Sequence, residues 1–497
     1  MTHRVASVVA AGLLAAGLLA ATGGTALAAR DSLVLGTVLE PPHLDPTAGA
    51  AAAIDEIVYA NIFEGLTRID RNGEVKPALA ESWTVSDDGL VYTFRLHEGV
   101  TFHDGTTFDS ADVKFSLDRA MADDSTNAQK GLFAAIASVE APDGKTVVIT
   151  LKQAAGNLLF NLGWGDAVIV APESAAENKN TPVGTGPFKF DRWVKGDRVE
   201  MSRNADYWGA PAQLASAIIK IIPDPAAATA ALLAGDVDAF ANFPAPEALP
   251  QFENDPRFKV VIGSTEGETI LALNNARPPL NDVRVRRALA HAIDSKAVVD
   301  GAMFGYGTPI GSHFSPLHPA YVDLSDKYPF DREKAKRLLA EAGHGNGLTL
   351  SLKLPPPTYA RRSGEVIAAQ LAFIGIKTDI QQLEWKPWLE QVFSGTDFDL
   401  TVISHTEPMD IGIYARDSYY FNYDSPAFKA LITKLESTMD EGLRNELLVE
   451  AQEMLAEDEV NVFLFQLPKL GVWNQDIVGL WENSPVQAND LTEVHWQ

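Results

Sequence analysis

The sequence predicts an α/β protein built from more than one domain. Residues 218–222, 226–234 and 237–240 read as strand, helix and strand, the pattern of a parallel unit. Residues 348–404 repeat that alternation as strand, helix, strand, helix, strand. The length, 497 residues, exceeds what one hydrophobic core supports. Apolar residues at 46% supply ample core material.

The amino terminus reads as an export signal. His3 and Arg4 precede an apolar run over 5–21, and Ala26-Leu27-Ala28 supplies a small-residue cleavage site. A removed signal over 1–28 is expected, with no later stretch apolar enough to span a membrane. The formal charge is -26; Arg4 is the only charged residue before the cleavage site, so the remainder carries -27 from 39 basic and 66 acidic residues. Such a balance argues against nucleic acid or an anionic membrane as partner. Cysteine is absent, which excludes disulfides, cysteine-ligated metals, thiol nucleophiles and a lipidated cysteine anchor. An untethered exported protein is retained only by a second membrane, so a periplasmic location without a lipid anchor is expected.

In chain order, residues 32–38 (SLVLGTV) form a first strand, ended by the stiff loop EPPHLDP at 40–46. A helical segment over 54–63 leads into Glu64-Gly65-Leu66. Residues 83–85 and 91–96 flank Asp87-Asp88-Gly89 as a hairpin, and Ser110 is expected to cap a helix through Val113 and Leu117. Gly144-Lys145-Thr146 lacks the partner glycine of a phosphate loop and reads as a hairpin turn. In 183–208 (VGTGPFKFDRWVKGDRVEMSRNADYW), Gly184, Gly186 and Pro187 force a turn. Two bulky strands then follow around Lys195-Gly196-Asp197.

Later, Gly235 ends the helix over 226–234, and residues 270–274 open a third section. Residues 281–300 are helical with a second cap at Asp294-Ser295; the cluster Arg284, Arg286, Arg287 suggests a phosphate site but reads better as a solvated helix face. Asp331 caps a helix that stops at Gly343. A strand over 348–354 is halted by three prolines, a helix spans 358–373, and Trp385-Lys386-Pro387-Trp388 introduces another. Two helices over 424–439 and 443–456 precede a strand over 460–465. His97 and His103, and again His313 and His318, are spaced as loop histidines rather than as a compact metal-ligand set.

Residues 183–208 resemble, nearly residue for residue, a signature of the family 5 extracellular solute-binding proteins, the dipeptide-, oligopeptide- and nickel-type receptors of ABC importers; Glu64-Gly65-Leu66 and the stretch 78–119 are also similar to that family. The resemblance covers essentially the whole chain after the signal. It implies a fold of the periplasmic-binding-protein type, two α/β lobes around a ligand cleft with an additional inserted domain. The first lobe would comprise 29–65, 183–268 and 467–497, the inserted domain 66–182 and the second lobe 269–466.

Reactive constellations are absent from the sequence: there is no G-x-S-x-G elbow, H-E-x-x-H or G-x-G-x-x-G after a strand. Binding without catalysis, and without a cofactor or resident metal, is therefore expected. The resemblance implies a monomeric receptor that passes a small ligand, a short peptide or similar zwitterion, to an inner-membrane ABC permease. Other solutes bound within the family are oligosaccharides, opines and metal chelates. It also implies an arginine for the ligand carboxylate, mapping to Arg361 or Arg362, and an acid for its ammonium, mapping to Glu407 or Asp410. Here Glu-Pro-Met-Asp stands where the family usually carries Asp-Pro-Asp. Trp385, Trp388, Tyr419 and Tyr420 are expected either to wall the pocket or to pack in the core.

Overall fold

The computed structural model describes residues 30–49, 51–406 and 410–497. Residues 31–497 form one compact unit, and the signal expected over 1–28 lies outside the described residues.

The unit is organised on an eleven-stranded sheet. Two long strands, Phe258–Leu273 and Asn461–Asn474, run antiparallel through its middle. On one side of them lie Leu400–His405, Leu348–Leu354 and Ile376–Gln382, mutually parallel. On the other lie Ala239–Phe240, Ser32–Thr37 and Ser216–Ile221, also parallel, followed by the hairpin Arg198–Arg203 and Phe188–Val194.

Register fixes how these sets face each other. Glu268 pairs with both His405 and Gln466, and Val472 pairs with Phe240, which pairs with Gly36. The carboxyl ends of both parallel sets therefore point toward the same level of the long strands, around 264–268 and 466–470. There the ladder skips between Ser264 and Glu268. The sequence pattern shows only the ends of these strands, 270–274 and 460–465. Gly263, Gly267 and Pro468 lie at an interruption inside these continuous strands.

Alternation along the long strands divides the core: Leu271 and Leu273 join one cluster, Ile270 and Ala272 the opposite one. A third cluster gathers helix Ala52–Val58 with Leu33, Leu35 and Trp473. A fourth belongs to a separate four-stranded sheet, Ala80–Val85, Val91–Leu96, Thr146–Leu151 and Ile136–Asp143, covered by helix Ser110–Met121. Asp109, not Ser110, caps that helix, because its carboxylate accepts from Ala111 N while the Asp112 carboxylate accepts from Asp109 N.

The turn at 183–208 is held by Glu64. Its carboxylate accepts from Thr185 Oγ1 at 2.8 Å, Tyr207 Oη at 2.7 Å and Trp208 Nε1 at 2.9 Å. Gly184 and Gly186 are required because a Cβ would meet Ile62 O at 2.0 Å and Asn61 O at 2.4 Å. His103 ties the four-stranded sheet's loop to the same turn, accepting from Gly184 N at Nδ1 and facing Gly186 O through Nε2. His97 packs its ring on Trp208.

Arg286 and Arg287 satisfy carbonyls at the end of helix Glu441–Glu457, and Arg284 pairs with Asp282, so the basic cluster is structural. The turn at Asp143-Gly144-Lys145 joins two strands of the small sheet.

Candidate functional site

The level at which the two parallel sets meet lies beyond the carboxyl ends of both, the place where open α/β sheets carry a ligand crevice. Loops after Leu354, Gln382 and His405 reach it from one side, those after Thr37, Ile221 and Phe240 from the other.

Arg361 and Arg362 lie in the first turns of helix Thr358–Ala372, which follows strand Leu348–Leu354. Arg361 donates from Nη2 to Leu383 O and to Glu384 Oε1 at 3.2 Å. Arg362 forms a two-pronged pair with Glu247, both contacts 3.1 Å, and lies over the Phe304 ring. Glu247 follows strand Ala239–Phe240, so this pair bridges the two halves of the sheet. A second bridge runs from Gln487 Nε2 to Thr406 Oγ1, 2.5 Å.

Asp410 follows strand Leu400–His405, and Glu407 lies outside the described residues. Asp410 Oδ1 is 2.7 Å from His313 Nε2, and its Oδ2 is 3.8 Å from His405 Nδ1. The other ring nitrogen of His313 stands 3.3 Å from Glu268 Oε1. Ligand atoms of Glu268, His313 and Asp410 all fall within 4.8 Å of one another, the spacing of a metal set. One imidazole thus stands against two carboxylates, Asp410 at one ring nitrogen and Glu268 at the other. Of the two contacts only that of Nε2 with Asp410 is a hydrogen bond; His313 Nδ1 and Glu268 Oε1 are buried and form none with each other. Burial draws His405 down to about 4, against the opposing pull of Asp410; its Nε2 shares a 2.9 Å bond with Tyr420 Oη.

The aromatic expectations divide. Trp388 and Tyr420 are core residues and do not wall an open pocket: Trp388 donates from Nε1 to Thr401 Oγ1, and Tyr420 is 1% exposed. Both belong to the cluster under helix Pro426–Glu436. Trp385 and Tyr419 are partly buried at its margin, Trp385 edge-on to Trp388 and Tyr419 under Arg416.

Sequence reasoning missed Glu247, Glu268, Glu56 and Lys469, and it read His313 as a loop histidine although the structure buries it against Asp410. Lys469 carried a legible signal, a lone charge inside the apolar run VFLFQLPKLGVW. It is 1% exposed and lies at the crevice level, three residues from the pairing of Val472 with Phe240.

A profile of the bacterial extracellular solute-binding proteins, family 5, middle region, matches residues 74–426. The chain belongs to that family. Haem-binding protein A of Haemophilus influenzae is 34% identical over 355 residues, covering 65% of this chain and 64% of that protein. The glutathione-binding protein GsiB of Escherichia coli (strain K12) is 33% identical over 356 residues, 70% of this chain and 68% of the relative. The periplasmic binding protein DppA of Helicobacter pylori, in complex with the peptide STSA, superposes with a TM-score of 0.84 at 26% identity, covering 94% of this chain and 98% of that one. The fold is thus of the periplasmic-binding-protein type, as expected from the sequence. Among the described residues no helix is long and apolar enough to cross a membrane.

Proposed function

We propose that this solute-binding protein is a periplasmic receptor that captures a small, peptide-like solute in the crevice and hands it to an inner-membrane ABC permease without transforming it. The observation that carries the reading is the opposition of two parallel strand sets across the midpoint of the two long strands. Such a crevice is lined by loops from both sides and can bury the polar ends of a small molecule. Residues 1–28 act as the removed export signal. The first lobe comprises 29–65, 183–268 and 467–497, the inserted domain 66–182 and the second lobe 269–466.

Within the crevice, Arg361 or Arg362 and Asp410 or Glu407 remain the proposed partners of the ligand's ends, with Trp385 and Tyr419 at the margin. The bonds of Arg362 to Glu247 and of Asp410 to His313 mean that a ligand must displace protein partners to use them. That feature favours a second reading, a non-peptide solute that leaves these pairs intact. Haem-binding protein A, among the relatives, is named for such a solute.

A thermal-stability screen separates the two. Di- and tripeptides, glutathione included, should raise the melting temperature because the ligand binds only the folded state. A response confined to sugars or metal chelates overturns the peptide-like reading, and turnover of any binder overturns the receptor. N-terminal sequencing of the exported protein should begin at Ala29.

A further inference from the structure

Lys469 stands on the long strand Asn461–Asn474, where it pairs with Gly263. Its position is set by the ladder. The strand runs from Val472, opposite Phe240, back to Gln466, opposite Glu268, and Lys469 lies between them. Alternation puts Lys469 on the face that carries Trp473, whose cluster is covered by helix Ala52–Val58. Glu56 of that helix is the acid whose charge it feels.

Only 1% of Lys469 is exposed. Among the described residues no hydrogen bond and no carboxylate within ion-pair distance reaches its ammonium. A buried cation without a bonded counter-charge is costly and is retained where something else supplies the anion. Burial draws the Lys469 ammonium down to about 8 while Glu56 holds it up; burial pushes Glu56 up to about 7 against the pull of Lys469. Glu56 thus moderates the charge from beyond ion-pair distance, whereas Arg361, Arg362 and Asp410 already have close partners.

We propose that Lys469 is an anion-recognition residue on the floor of the crevice, taking a carboxylate of the bound solute. The inference rests on the reading of the crevice as a ligand site but not on the ligand being a peptide. Lys469 would supply a point charge at the junction of the two halves, and the ligand's acid would supply the close partner that no described residue provides.

The test uses the full exported chain, its Lys469→Met variant and two probe sets. One set pairs dipeptides and glutathione with their carboxyl amides; the other pairs sugar acids with the corresponding neutral sugars. Calorimetry should give wild-type binding of acids in at least one set, weakened about 30-fold or more by Lys469→Met. The neutral forms should bind both proteins alike. Without ligand, Lys469→Met should melt at or above the wild-type temperature, since it removes a buried charge that no described residue pairs closely and keeps the chain length.

Binding of sugar acids but no peptides would sustain Lys469 and defeat the peptide-like reading. Peptide acids and amides binding equally well, unaffected by Lys469→Met, would do the reverse. The proposal is also overturned if no acid binds the wild type, or if the ligand-free variant melts several degrees lower, which would make Lys469 a structural partner of Glu56.

Discussion

Replacing Glu64 tests whether the turn at 183–208 is held by acceptor atoms or by charge. Three donors converge on this one carboxylate, Thr185, Tyr207 and Trp208, and Glu64 itself is 8% exposed. Glu64→Ala removes all acceptors at once. The indole N–H of Trp208 can only donate, and Thr185 is fully buried, whereas the partly buried Tyr207 can turn toward water. Two orphaned donors at about 1–3 kcal/mol each predict a loss of roughly 2–6 kcal/mol. Glu64→Gln keeps one carbonyl oxygen for Trp208 and Thr185 and turns its amide toward the Tyr207 oxygen, so it should cost about 1 kcal/mol or less.

The charge bears on the same comparison. Burial pushes the Glu64 carboxyl up, against the three hydrogen bonds that favour its ionised form. The native protein therefore keeps a proton that the unfolded chain releases, and stability falls as pH rises from the ordinary glutamate range through the raised value. Glu64→Gln abolishes that slope. Urea midpoints followed by tryptophan fluorescence, at pH 4.5 and 7.5, read both effects. Glu64→Ala within about 1 kcal/mol of wild type, or Glu64→Gln as damaging as Glu64→Ala, would refute the acceptor-count reasoning.

Gly184→Ala should destabilise more than Gly196→Ala, since its Cβ would meet backbone at 2.0 Å while Gly196 has open space and only its positive φ of 76° to lose; the same urea midpoints give the ranking. Burial holds His103 down to about 4, so the unfolded chain takes up a proton between the ordinary histidine value and 4 that the native state refuses, and stability is lost as pH falls through that window. His103→Asn should shrink the stability difference between pH 7 and pH 5 by about 2 kcal/mol, and an unchanged difference would place the acid sensitivity elsewhere. Glu247→Gln frees Arg362 from a partly exposed pair worth about 1 kcal/mol, so a carboxylate ligand held by Arg362 should bind up to about fivefold tighter by calorimetry. Weaker or unchanged affinity would remove Arg362 from the ligand site.

Local chemistry carried much of the fold into the sequence. The helix caps at Asp294 and Asp331, the left-handed Gly235 and the strand Leu348–Leu354 depend on neighbours a few residues away, and each is readable from them. The long motif around Gly184 and Trp208 announced the family because its side chains converge on Glu64, a demand that leaves few residue choices. Other features depend on register across hundreds of residues. That Phe258–Leu273 and Asn461–Asn474 continue through Gly263, Gly267 and Pro468 is decided by their pairing, since the local pattern shows only 270–274 and 460–465. The partners of Arg362 and Asp410 were likewise invisible, because Glu247 and His313 reach them only when the chain closes. Trp388 and Tyr420 look like pocket walls beside a predicted site, but they belong with Phe398 and Phe421 to a buried core cluster. Lys469 stood in plain view as a charge in an apolar strand. Only the ladder set it level with the carboxyl ends of two parallel strand sets.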